Sequence, residues 1–102
     1  MNQQEKDTAL FANLVMMFHS ATMGHLGKVK NPITEKIERD LDQAQLMIDL
    51  LDMLLTKTKG NLSGEEEKFL SNVLRELKLN YVDEKSKGEA ETKEPEKKEE
   101  EK

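Results

Sequence analysis

Cysteine and tryptophan are absent from this 102-residue chain, proline occurs twice, and arginine only at Arg39 and Arg75. Without cysteine there are no disulfides, thiolate zinc sites or cysteine nucleophiles, and a reducing compartment, the cytoplasm, is the expected location. The 16 basic side chains are outnumbered by 21 acids. That balance leaves no basic footprint for a phosphate backbone, so nucleic acid is not an expected partner. No stretch approaches the roughly 18 continuous apolar residues of a membrane span. The N-terminus, MNQQEKDTALFANLVMMF, balances Lys6 with Glu5 and Asp7 and interrupts its apolar run at Asn13, which is not the layout of a signal peptide.

What is present is helical periodicity. Leu10, Phe11, Leu14, Met17, Phe18 and Ala21 recur at spacings of three and four, predicting a first helix over about 8–25 with that stripe turned to the core. Ala12, Met16, His19 and Met23 form a second stripe on another side. Gly24, Gly27 and the Asn31-Pro32 pair then break the pattern and predict a loop, pinned by Leu26 and Val29. Thr34 is the expected N-cap of a second helix over about 35–59, supported by Glu35 and Glu38 near its positive end. Ile37, Leu41, Ala44, Ile48, Leu51, Leu55 and Thr58 give that helix a four-three seam, and Leu46, Leu50 and Met53 a further stripe. Gly60 ends it.

Ser63 and Glu66 have the spacing of a capping box and announce a third helix over about 64–82, with Phe69, Leu70, Val73, Leu74, Leu77 and Tyr81 on its buried face. The short connection makes helices two and three an antiparallel hairpin. From Asp83 the chain reads DEKSKGEAETKEPEKKEEEK, without a large apolar residue to offset its entropy, so 83–102 is expected to be a disordered charged tail. The expectation is therefore an all-α, three-helix unit over 1–82 followed by that tail. A unit of this size buries only about 60–65% of its unfolded surface, which makes self-association attractive.

Little here points to catalysis. Both histidines lie in one short segment, no Glu-x-x-His repeat or nucleophile elbow occurs, and Asp49 and Asp52 beside Gln45 have no apolar pocket to raise a pKa. We expect no enzyme, no catalytic residue and no cofactor. Two soft thioethers and an imidazole at Met16, His19 and Met23 have a spacing suited to Cu(I), and the Gly24–Lys28 loop is the other small-ligand candidate. Lys57 and Lys59 beside Gly60 and Asn61 could hold an anion at a helix start, but helix termination explains the same residues and is the favoured reading.

Several segments carry a likeness to a known family: F-x-x-L-V-M-M-F at 11–18, Leu26-Gly27 followed by Asn31-Pro32, A-x-x-x-I-D-L-L-x-M-L at 44–54, K-T-K-G-N-L at 57–62, and E-E-E-K-F-L…L-x-E-L-K-x-x-Y at 65–81. In combination they resemble a bacterial domain-of-unknown-function family, number 1844 in that series. The resemblance implies a short, cytoplasmic, helical protein and brings no activity, cofactor or catalytic residue with it.

Two helices with apolar stripes on more than one side hold more hydrophobic surface than a lone three-helix unit covers. The expected function is protein–protein interaction or self-association, with a homodimer favoured and Met16, Met23, Leu46, Leu50 and Met53 as interface residues. The alternative is a metal- or small-ligand-binding protein using the Met/His face of helix one.

Overall fold

The computed structural model describes residues 1–92, with side chains described as far as Lys87. Three helices pack on one another: α1 (Gln3–His25), α2 (Leu41–Lys57) and α3 (Gly64–Thr92). The order and all-helical class agree with the sequence reading. Several boundaries do not.

Helix α1 starts five residues ahead of its first expected residue because Asn2 caps it. The Asn2 Oδ1 accepts from Glu5 N at 2.8 Å and Glu5 Oε1 accepts from Asn2 N at 3.0 Å, a reciprocal capping box. At the other end Gly27 adopts φ +79°. Its N–H reaches Gly24 O at 3.0 Å while Lys28 N–H reaches Met23 O at 2.9 Å, so the last carbonyls are closed by a Schellman motif that wants glycine here.

The larger correction concerns α2. Residues 35–40 are not helical and Thr34 is not the cap. Instead Asn31 folds the loop on itself: its Oδ1 accepts from Ile33 N at 2.8 Å, and its backbone exchanges bonds with Glu35 N and Lys36 O at 2.7 and 2.8 Å. Glu35 turns the chain at φ 59°, which no continuing helix tolerates. The next segment runs back along α1, where Asp40 N donates to His25 O at 2.8 Å, and Asp40 caps α2 by accepting from Gln43 N at 3.2 Å. Ile37, placed on the seam by the four-three spacing, is consequently exposed.

The α2–α3 turn is as the sequence suggests. Gly60 has φ +88°, and Ser63 and Glu66 form the capping box, with Ser63 N donating to Glu66 Oε1 at 2.8 Å and Glu66 N to Ser63 Oγ at 3.1 Å. Helix α3 then continues beyond 82 to Thr92, through the first half of the stretch expected as tail. Residues 93–102, the rest of that expected tail, lie outside the described residues.

The core is Val15, Leu26, Ala44, Ile48, Leu51, Leu70, Val73, Leu74 and Leu77, with Phe11, Phe18, Phe69 and Tyr81 packed around it. Thr22 is fully buried among them because its hydroxyl donates to Phe18 O at 2.6 Å, so burial leaves no polar atom unsatisfied. The cross-links His19–Glu76 and Lys28–Asp83 rise together along the two segments, so α1 and α3 run in parallel and in contact, with α2 packed antiparallel to both.

Candidate functional site

Helix α1 carries no Asp, Glu, Lys or Arg from residue 8 to residue 27. With apolar residues nearly all round it, periodicity does not select one face. The face the fold selects is Phe11, Val15, Phe18, Thr22 and then Leu26, sharing only the two phenylalanines with the expected core stripe. Leu10, Leu14 and Met17, expected inside, are instead 54%, 40% and 68% exposed, and Ala21 lies open beside them. Phe18, Phe11, Thr22 and Val15 follow one another at about 20° steps round the wheel, so one narrow face takes both rings and the two β-branched side chains together.

The five expected interface residues divide between two places. His19 Nε2 stands 3.5 Å from Glu76 Oε2 of α3, and Met16 and Met23 lie three and four residues from His19, on the same strip beside α3. Met16 is exposed, whereas Met23 is half-buried and packs on the core. On α2, Lys78 of α3 reaches Asp52 at 3.4 Å, which fixes the α3 side of that helix. Leu46, Leu50 and Met53 lie round the other side, with Leu46 and Met53 each 47% exposed and Leu50 half-buried.

Leu10 and His19 are nine residues apart, about two and a half turns, so they point to opposite sides of α1. The open strip Leu10, Leu14, Met17 and Ala21 therefore faces away from α3 and borders the α1–α2 seam from outside. Leu46 and Leu50 border the same seam from α2. One apolar surface thus spans both helices, and Met16 is not part of it. The signal that would have found the α1 half is the charge-free run at 8–27 rather than any spacing within it.

A second cluster was not legible at all. Glu84, only 7% exposed at its side chain, accepts from Lys28 Nζ at 2.7 Å and from Lys87 Nζ at 3.0 Å, with Arg39 Nε at 3.8 Å. Arg39 Nη2 also donates to the Glu84 backbone oxygen at 3.0 Å, and Lys28 reaches Asp83 at 3.1 Å. Burial pushes the Glu84 carboxyl up, but Lys28 and then Lys87 outweigh it and hold it below its ordinary range. Lys28 is raised in turn, first by Glu84 and then by Asp83. This group fastens both ends of the loop between α1 and α2 to the end of α3. It reads as a structural clamp, since every charge in it faces an opposite charge.

The remaining candidates are plainer. Met23 packs on the core and His19 turns to Glu76, so the Met16, His19 and Met23 set does not converge on one open point. No group of three His, Cys, Asp or Glu with metal-holding geometry occurs among the described residues. Beside Gly24 and His25 the loop forms a shallow groove of about 480 Å³, reaching Asn31, Arg39 and Asp40. Asp49 and Asp52 are exposed, Asp49 accepting from Gln45 at 2.8 Å and Asp52 paired with Lys78. At the start of α3, where Lys57 and Lys59 suggested an anion site, the Glu66 carboxylate already takes the Ser63 N–H.

A family model described as a domain of unknown function, DUF1844, matches residues 8–84. The chain belongs to the DUF1844 family. The matched stretch begins where the charge-free run of α1 begins and ends on Glu84, so it includes the buried carboxylate beyond the expected boundary at 82. No curated protein and no solved structure matches this DUF1844 chain. No helix among its described residues is long and apolar enough to cross a membrane.

Proposed function

We propose that this DUF1844 chain is a non-enzymatic cytoplasmic protein that works by binding another protein chain through the apolar surface of α1 and α2. The observation that carries the reading is Leu10, Leu14 and Met17, open at 54%, 40% and 68% on a helix without charge from 8 to 27. A helix apolar all round is a buried helix, and here one side is uncovered. Methionine adapts its shape to a facing surface, which suits Met17 at the centre of such a contact. The absence of cysteine suits the cytoplasm. Among the described residues no acid, base and nucleophile stand together, the acidic pair Asp49 and Asp52 being exposed and engaged by Gln45 and Lys78.

The test is a photo-crosslinking amino acid placed at Met17 in living cells, with the same residue at exposed Glu67 of α3 as the comparison. Discrete adducts from position 17 and none from 67 are expected. Equal or absent crosslinking at both positions would remove the reading.

A further inference from the structure

We propose that the partner is a second copy of this chain, packed α1 against α1 in antiparallel fashion about a two-fold axis at the level between Leu14 and Met17. The proposal rests on the reading of α1 as a binding surface and names what binds it.

Four observations lead there. The first is composition: residues 93–102 consist only of Lys, Glu and Pro, so that segment has no large apolar side chain to lay over the strip. The second is charge. The chain's 16 basic and 21 acidic residues all lie outside 8–27, so the strip from Leu10 to Ala21 carries neither sign, the charged residues of α1 being confined to Glu5, Lys6 and Asp7 at its start. A charged partner surface would be desolvated against it without compensation, whereas its own copy meets it with no charge to bury and no like-charge repulsion.

Area is the third. The exposures of Leu10, Leu14, Met17 and Leu46 amount to roughly 400 Å² of apolar surface, within the range of the largest patch a monomer leaves open and of the kind that is often functional. A standard interface takes roughly 800 Å² per partner, of which this patch would be the apolar centre, with the exposed Asn13, Ser20 and Gln43 at its polar rim.

The fourth is register. A two-fold axis between Leu14 and Met17 sets Leu14 opposite Met17 of the second copy and Leu10 opposite its Ala21, a large residue facing a small one, which is how helix surfaces interdigitate. In a parallel pair Leu10 would meet Leu10 and Ala21 would meet Ala21, bulk on bulk and gap on gap. Leu46 and Leu50, bordering the same seam, extend the contact on either side of the central α1 pair, giving a bundle with α2 helices flanking it.

The experiment uses the full untagged chain. Light scattering over a concentration series is expected to give twice the chain mass. Met17→Lys is expected to weaken association by roughly 100-fold or more, as loss of a central apolar anchor does. Met16→Lys, on the strip beside α3, is expected to remain dimeric. Both positions are exposed, and helix content by circular dichroism verifies that each variant is folded. Because the chain has no cysteine, Leu10→Cys mixed with Ala21→Cys is expected to give a 10–21 product with a short bis-maleimide, and Leu10→Cys alone none.

A monomer at every concentration would overturn the proposal, as would a dimer that Met17→Lys leaves intact and Met16→Lys dissociates. A 10–10 product would overturn the antiparallel arrangement. A monomer whose position 17 still gives in-cell adducts to a different protein would defeat the second copy alone. The loss of adducts as well would defeat the binding surface with it.

Discussion

Replacing Glu84 by alanine should destabilise the fold by about 2 kcal/mol. The figure follows from what surrounds the carboxylate. Removing one member of a fully buried charge group costs about 3–5 kcal/mol, because its partners are left enclosed and unpaired. Here Lys28 and Arg39 retain 22% and 17% exposure at their side chains, so both recover part of their hydration once released. Lys28 also keeps Asp83 at 3.1 Å. About half of the full penalty is therefore expected, which in a domain of this size lowers the melting temperature by about 10 °C. Asp83→Ala, at 60% exposure, is the control and should cost under about 0.5 kcal/mol. Guanidinium denaturation followed by circular dichroism measures both.

Chain ends test the same idea independently. A chain stopped after Val82 should lose at least as much as Glu84→Ala, while one stopped after Lys87 should match the parent. The pH dependence has a definite sign. Glu84 is held below its ordinary 4.5 in the folded state, so its contribution is complete above that value and is lost as the pH falls through the depressed one. The gap between parent and Glu84→Ala should therefore be constant at neutral pH and close in acid. A loss at Glu84 no larger than at Asp83, or a gap that does not close in acid, would refute the clamp.

Other predictions concern the helix ends and the core. Asp40→Ala removes the true cap of α2 and should cost about 1 kcal/mol, whereas Thr34→Ala, at the expected cap, should cost little; chemical denaturation separates them. Gly27→Ala should cost about 1–2 kcal/mol for its positive φ, and more because the new Cβ would stand 3.2 Å from the Arg39 side chain. Leu77→Ala, at a fully buried position, should cost about 2–5 kcal/mol by the same measurement.

The Ser63–Glu66 capping box, the stops at Gly27 and Gly60 and the buried face of α3 were readable because each depends on residues within a turn or two of one another. Backbone donors, glycine φ and a stripe flanked by charge are local physics. The family likeness was readable for the same reason, since it rests on runs such as K-T-K-G-N-L at the hairpin.

Helix α1 shows where that legibility ends. Its sequence determines that it is a helix, but a segment without charge over 8–27 has several candidate faces, and contact with α2 and α3 chose Phe11, Val15, Phe18 and Thr22. The start of α2 was decided in the same way. Thr34 and Asp40 both satisfy the local rule for a cap, and a left-handed turn at Glu35 with a backbone bond from Asp40 to His25 settled it in favour of Asp40.

Glu84 is the extreme case. By itself the sequence determined a charged stretch from Asp83 onward with nothing apolar to bury, and that part of the reading stands. Only the tertiary structure decided that one of those carboxylates is inside, because the cations that enclose it, Lys28 and Arg39, lie far earlier in the chain. A buried charge depends on partners that composition does not place, and distance along the chain carries no information about which partners arrive.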